Sequence, residues 1–142
     1  MIYLLSDHGG YQMKEKIAKH LTKKNIEFVN LGTNDTKSVS YSQLVKDNIH
    51  NIKQDDKAIF VCGTGIGISI AANKYDFIRC ALCYDTHSAK MARNHNNANV
   101  LALKGRKACA LKTMKIVDTF LNSEFEGGRH EERVNLLSNM RD

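Results

Sequence analysis

A cysteine opens a glycine-rich hexapeptide, Cys62-Gly63-Thr64-Gly65-Ile66-Gly67, and this segment carries the strongest chemical signal in the chain. The run Ala58-Ile59-Phe60-Val61 precedes it and Ile68-Ser69-Ile70-Ala71-Ala72-Asn73-Lys74 follows, which reads as buried strand, tight turn and helix. Three glycines let backbone N–H groups crowd around an anion, and the helix start adds its positive end. The same donors favour the thiolate of Cys62, so the segment offers an anion cradle together with a base or nucleophile. The structural alternative stays open here, because most free cysteines are small buried hydrophobes. Further groups suited to proton transfer or phosphate binding are Asp7, His8, Asp85, His95 and Asn96. Arg129 and Arg133 follow Gly127-Gly128 four residues apart, on one face of a helix, where two guanidiniums can clamp a phosphate. Each has a plainer reading: Asp7 as a helix cap, His95 as a surface histidine, the arginines as partners of Glu131 and Glu132. His20, His50 and His87 read as structural or solvent-facing.

The elements that must position these groups follow from short apolar runs alternating with amphipathic stretches. Strands are expected over Ile2–Ser6, Ile26–Leu31, Ala58–Val61, Arg79–Cys83 and Asn99–Leu103. Helices are expected over Tyr11–Lys24, Tyr41–Ile52, Gly65–Asn73, Thr86–Arg93 and Ala108–Leu121, with a last one starting near Gly127. Such alternation implies a parallel sheet covered on both faces, with ligands bound beyond the carboxyl ends of the strands. Asp7 follows the first strand, Cys62 the third and Asp85 the fourth. His95-Asn96-Asn97 precedes the fifth, and a crossing at the sheet edge is expected to bring it to the same rim. That shared location favours the joint functional reading over the separate structural ones.

Composition narrows the classes. The 142 residues fit one domain, and 42% hydrophobic with 25% charged residues is ordinary for a globular protein. The first residues reach Asp7 too soon for a signal peptide, and no apolar stretch approaches a membrane span, so a cytoplasmic protein is expected. Cys62, Cys80, Cys83 and Cys109 then stay reduced. Cys80 and Cys83 resemble half a metal site, but three residues apart on a strand they point to opposite faces and read as core. The net charge of +6 is spread along helices without a basic, aromatic-interleaved run, so it suits a small phosphorylated substrate better than nucleic acid. A dinucleotide fingerprint is the competing reading, since Asp85 lies 20 residues after Gly65. The glycines, however, are spaced G-x-G-x-G, lacking the second intervening residue of G-x-G-x-x-G.

Taken together, Ser6-Asp7-His8-Gly9-Gly10, the Cys62–Gly67 turn with Ala71-Ala72-Asn73-Lys74, His95-Asn96-Asn97-Ala98-Asn99-Val100, and Gly127-Gly128-Arg129-His130 with Arg133 resemble the ribose-5-phosphate isomerase B family. The likeness runs in order across essentially the whole chain. A related enzyme, the lactose-pathway galactose-6-phosphate isomerase, divides its site residues between two different subunits. This chain carries the cysteine, the histidine and the arginines together, which favours the pentose phosphate enzyme. Ser42 departs from the pattern, standing where the family usually has a proline after the tyrosine.

The resemblance implies a Rossmann-like three-layer sandwich with a five-stranded parallel sheet and a C-terminal helix that reaches a partner subunit. It implies interconversion of D-ribose 5-phosphate and D-ribulose 5-phosphate through an enediolate, with no cofactor and no metal. Cys62 would move the proton between C2 and C1, His95 would open the sugar ring, and Thr64 would assist near the ring oxygen. Substrate contacts would come from Asp7, His8, the Gly63, Thr64, Gly65, Ile66 and Gly67 turn, and Asn96, with Arg106, Arg129 and Arg133 on the phosphate. Homodimers are expected, and pairing into a dimer of dimers stays open. So do a hexose 6-phosphate substrate and, in other classes, a non-catalytic sugar-phosphate module or a dinucleotide binder.

Overall fold

The chain, seen in a computed structural model that describes residues 1–140, builds one five-stranded sheet in which every paired neighbour is parallel. The strands are β1 (Ile2–Ser6), β2 (Val29–Asn30), β3 (Lys57–Cys62), β4 (Cys80–Leu82) and β5 (Val100–Lys104), in the order β2-β1-β3-β5-β4. Period-two alternation sorts their side chains between two cores. Leu4, Ile59, Val61, Leu101 and Leu103 face one layer of helices, while Leu5, Ala58, Phe60, Cys62, Val100 and Ala102 face the other. Cys83 packs in the first core and Cys80 against the second, so the pair diverges as expected.

The first layer holds α1 (Tyr11–Lys23), α4 (Thr86–Asn94) and α5 (Ala110–Asn122), docked through Met13, Ile17, Leu21, Ala89, Ala92, Ile116, Val117 and Phe120. The second holds α2 (Tyr41–Asn48) and α3 (Ile66–Ala72), docked through Val45, Ile68 and Ala72. A final helix, α6 (Arg129–Leu137), follows the sheet. Crossings toward the β4 edge use the α2 and α3 layer, and crossings back use the α1 and α4 layer, as a single handedness requires. The chain therefore leaves β1 over one face and β3 over the other. These two strands are neighbours, and the crevice beyond their carboxyl ends is the topological switch point where such folds bind ligands.

Most element boundaries shift by a residue or two from expectation, and two elements depart further. The second strand pairs only at Val29 and Asn30, because Asn25 takes a positive φ after α1 and the Ile26 N–H closes back onto the Leu21 carbonyl. The second helix tightens into a 3₁₀ turn at Ile49–Asn51. The sheet edge at β4 is closed by Asn73, whose side chain donates to the Cys80 carbonyl at 2.9 Å and accepts from its N–H at 2.8 Å.

Candidate active site

At the carboxyl ends of β1, β3 and β5, three loops come together with almost no space for side chains. A Cβ on Gly105 would lie 2.6 Å from the Gly9 carbonyl oxygen, and one on Gly10 only 2.3 Å from that of Val61. The Arg106 guanidinium lies over the Gly9 and Gly63 backbones, 3.2 Å from where a Cβ of either would stand. Hydrogen bonds tie the β5 end to the glycine turn, from Gly105 N–H to the Cys62 carbonyl (2.8 Å) and from Arg106 N–H to the Gly63 carbonyl (3.1 Å). Asp7, His8, Cys62, Thr64 and Arg106 thus share one rim, and Arg106 is brought there by close packing and by its N–H bond to Gly63.

Cys62 is buried at the end of β3, and the Gly65 N–H donates to its Sγ at 3.2 Å. Gly65 makes that contact with φ of +80°, and a side chain there would strike Leu82 and the Leu103 carbonyl. The Ile66 N–H donates to Thr64 Oγ1 at 3.2 Å, and the Tyr84 hydroxyl donates to the Thr64 carbonyl at 2.8 Å. Two of the turn's donors are therefore engaged within the turn, one of them on the sulfur itself. Tyr41, exposed at the start of α2, lies against Gly67, where an added Cβ would fall 2.5 Å from the ring. Ser40 caps α2 by accepting from the Gln43 N–H, so the helix begins at Tyr41 without the family's proline after it.

Asp7 is buried and accepts from the Gly10 N–H at 3.1 Å, so its carboxylate also shapes the entry to α1. His8 Nδ1 accepts from the Val39 N–H at 3.1 Å, which places the neutral ring's proton on Nε2, free to donate. Asp85 is a cap: it accepts from the Ser88 N–H at 2.7 Å, and that bond holds its carboxyl below the usual range. Its carboxylate is engaged as a helix start and not as a ribose contact.

His95 does not share this rim. It follows α4, which runs antiparallel to the strands, and precedes the Val100 end of β5, whereas Cys62 pairs with Lys104 at the other end. Four strand steps, about 13 Å, separate the two rims. The expected edge crossing is absent because Ala98 and Asn99 bond straight back to the Ala92 and Arg79 carbonyls and turn directly into β5. The opposite rim gathers its own set. His95 stacks on His130 with ring centroids 4.2 Å apart and planes 11° apart. Glu126 Oε2 lies 3.9 Å from His95 Nε2 and 4.0 Å from His130 Nε2. Burial, then the neighbouring His95, lowers the His130 pKa, so its ring favours the neutral form. Arg129 and Arg133 are exposed on the same helix and form no salt bridge with Glu131 or Glu132. Asn96 is exposed beside them in sequence to His95. His130 stands in the C-terminal motif without a role there, and Glu126 carries no motif signal; only the packing of the α6 start on the α4 end brings both to His95.

Residues 2–137 match the family described as Ribose/Galactose Isomerase. The chain belongs to that family. A probable ribose-5-phosphate isomerase B from Mycoplasma genitalium is 39% identical over 140 residues, covering 96% of this chain and 92% of the relative. The crystal structure of a ribose 5-phosphate isomerase from Thermotoga maritima matches with a TM-score of 0.89 and 44% identity, covering 97% of each chain. The Mycoplasma genitalium ribose-5-phosphate isomerase B structure with bound ribulose-5-phosphate matches with a TM-score of 0.88 and 37% identity, over 98% of this chain and 94% of that one. Among the described residues, no helix is long and apolar enough to cross a membrane.

Proposed function

We propose that this chain is a cytoplasmic aldose–ketose isomerase that interconverts D-ribose 5-phosphate and D-ribulose 5-phosphate at a site built from two copies. Cys62 at the switch-point crevice, with the Gly65 N–H on its sulfur, carries the reading. The relative seen with ribulose-5-phosphate supports the substrate class. The aldose arrives as a closed ring, so His95 of one copy protonates the ring oxygen as it opens. The Cys62 thiolate of the other copy takes the C2 proton, leaving an enediolate, and returns it to C1. Electrons move only within the sugar, so the step needs no redox cofactor. Negative charge on the sugar oxygens meets the turn's remaining N–H groups and Asn96, where one well-placed donor is worth roughly 3 kcal/mol. Asp7, His8 and Thr64 contact the sugar, and Arg106, Arg129 and Arg133 hold the phosphate.

That Cys62 and His95 stand at opposite ends of one sheet supports a site shared between two copies. Exposed apolar residues supply a surface for pairing: Ile66 and Ile70 on α3, Phe77, and Leu136 and Leu137 on α6. A coupled assay across ribose, allose and galactose phosphates tests the substrate. Turnover is expected to be greatest with ribose 5-phosphate. A preference for a hexose 6-phosphate would move the chain to the other branch of its family, and saturable binding without turnover would leave only a binding module.

A further inference from the structure

We propose that His95, Glu126 and His130 form a site for a zinc-like divalent cation, and that the cation switches the isomerase off. Among the described residues, this is the one place where three potential metal-ligand atoms lie within 4.8 Å of one another. Two imidazoles and a carboxylate are the donor set of many open zinc sites, which keep further positions for water or substrate. Ligand atoms around zinc sit about 3.3 Å apart when the bonds are about 2.0 Å, so the carboxylate must close by less than about an ångström on either ring and the farthest pair by up to about 1.5 Å. They are unequally free to do so. His130 is buried and supplies the fixed ligand, while Glu126 is half-exposed and His95 is about one-third exposed. The rings are stacked in nearly parallel planes about 4.2 Å apart, and lone pairs confined to parallel planes do not converge, so His95 must swing out of the stack to share a cation with His130.

That movement makes the site regulatory and not structural. A ring nitrogen bound to a cation can no longer deliver a proton, so occupancy removes the ring-opening acid. The inhibitory half of the inference rests on the role given to His95 above; the binding half does not. Arg129 and Arg133 on the same helix repel a cation, which keeps the site reversible and lets the phosphate of a bound substrate compete with it.

The test uses full-length protein carrying Cys62→Ser and Cys109→Ser, so that neither thiol competes for metal. Calorimetric titration with zinc chloride should give one ion per chain, and cobalt(II) should show a visible spectrum without thiolate charge transfer. Glu126→Gln and His130→Asn in that background should each weaken binding at least about tenfold. With both cysteines restored, zinc should inhibit ribose 5-phosphate turnover, EDTA should reverse it, and the two variants should keep most basal activity while losing the inhibition. Glu126 is half-exposed, so its substitution reads out even if His130→Asn fails to fold. Absence of binding, or binding unchanged in Glu126→Gln, overturns the site. Binding at this stoichiometry without inhibition overturns the switch and locates the error in the acid role of His95; a His95→Asn enzyme that opens ribose 5-phosphate normally would confirm that diagnosis.

Discussion

Cys62 and Lys14 show how much a single side chain depends on its surroundings. Cys62→Ser keeps the approximate shape of the group but replaces a sulfur that accepts the Gly65 N–H with a hydroxyl, which is a far weaker base near neutrality than a cysteine sulfur. The variant is expected to fold and bind ribose 5-phosphate yet lose about 10²-fold or more in kcat, the range for a displaced general base. Near-normal turnover would remove Cys62 from the mechanism. Alkylation experiments need a Cys109→Ser background, because Cys109 is exposed at the start of α5 and N–H groups of Lys112 and Leu111 lower its thiol pKa. Lys14 lies in the buried stripe of α1, with Nζ 2.8 Å from Asn30 Oδ1 and 3.4 Å from the Glu15 carboxylate. Burial lowers its pKa below the ordinary lysine value. Between the folded and unfolded values the unfolded chain binds more protons, so folding stability attributable to Lys14 rises with pH across that window. Urea midpoints from about pH 7 to about 11 should therefore climb in the native protein relative to Lys14→Met. Parallel curves for the two proteins would show that Lys14 keeps its ordinary affinity for a proton.

Elements meet at the Cys62 rim through backbone contacts that leave no room for error. Gly10 begins α1 with its Cα facing the Val61 carbonyl, and an alanine methyl would lie 2.3 Å from that oxygen. Neither side of the contact is a flexible side chain, so β1 and β3 must separate to accept it. Gly10→Ala is expected to cost about 3 kcal/mol or more in chemical denaturation, at the upper end of overpacking. Asp85→Ala offers the contrast at the other end of the scale. It removes a side-chain cap from α4, worth about 1 kcal/mol, and should leave kcat unchanged because that carboxylate is engaged with Ser88. A glycine variant as stable as the native chain would mean that the rim yields more easily than its packing implies.

At the scale of the whole molecule, the proposed joining of the two rims across two copies would make the subunit boundary part of the chemistry. Cys62→Ala and Arg133→Ala should each be nearly inactive as pure dimers. If each site joins Cys62 of one copy to Arg133 of the other, a mixed dimer has one doubly damaged site and one intact site. Random exchange makes about half the dimers mixed, so about a quarter of native activity should return. Mixing under conditions of verified exchange, followed by a turnover assay, measures this directly. No recovery would mean that Arg133 serves the site of its own chain.

Local pattern was enough to read the strand order along the chain, the glycine turn after β3 and the paired arginines near the C-terminus. Each is written in neighbouring residues: period-two runs for buried strands, glycine where N–H groups crowd, i and i+4 for one helical face. The divergence of Cys80 and Cys83 followed from the same period. What sequence could not place was His95, because its rim depends on which way α4 runs and on hydrogen bonds from Ala98 and Asn99 to distant carbonyls. Arg106 over Gly9 and Gly63, Glu126 beside the stacked histidines, and a lysine inside the α1 stripe are likewise products of segments far apart in the chain. Tertiary structure alone decided these, because they arise from the sheet order and from close packing between loops, neither of which has a local signature.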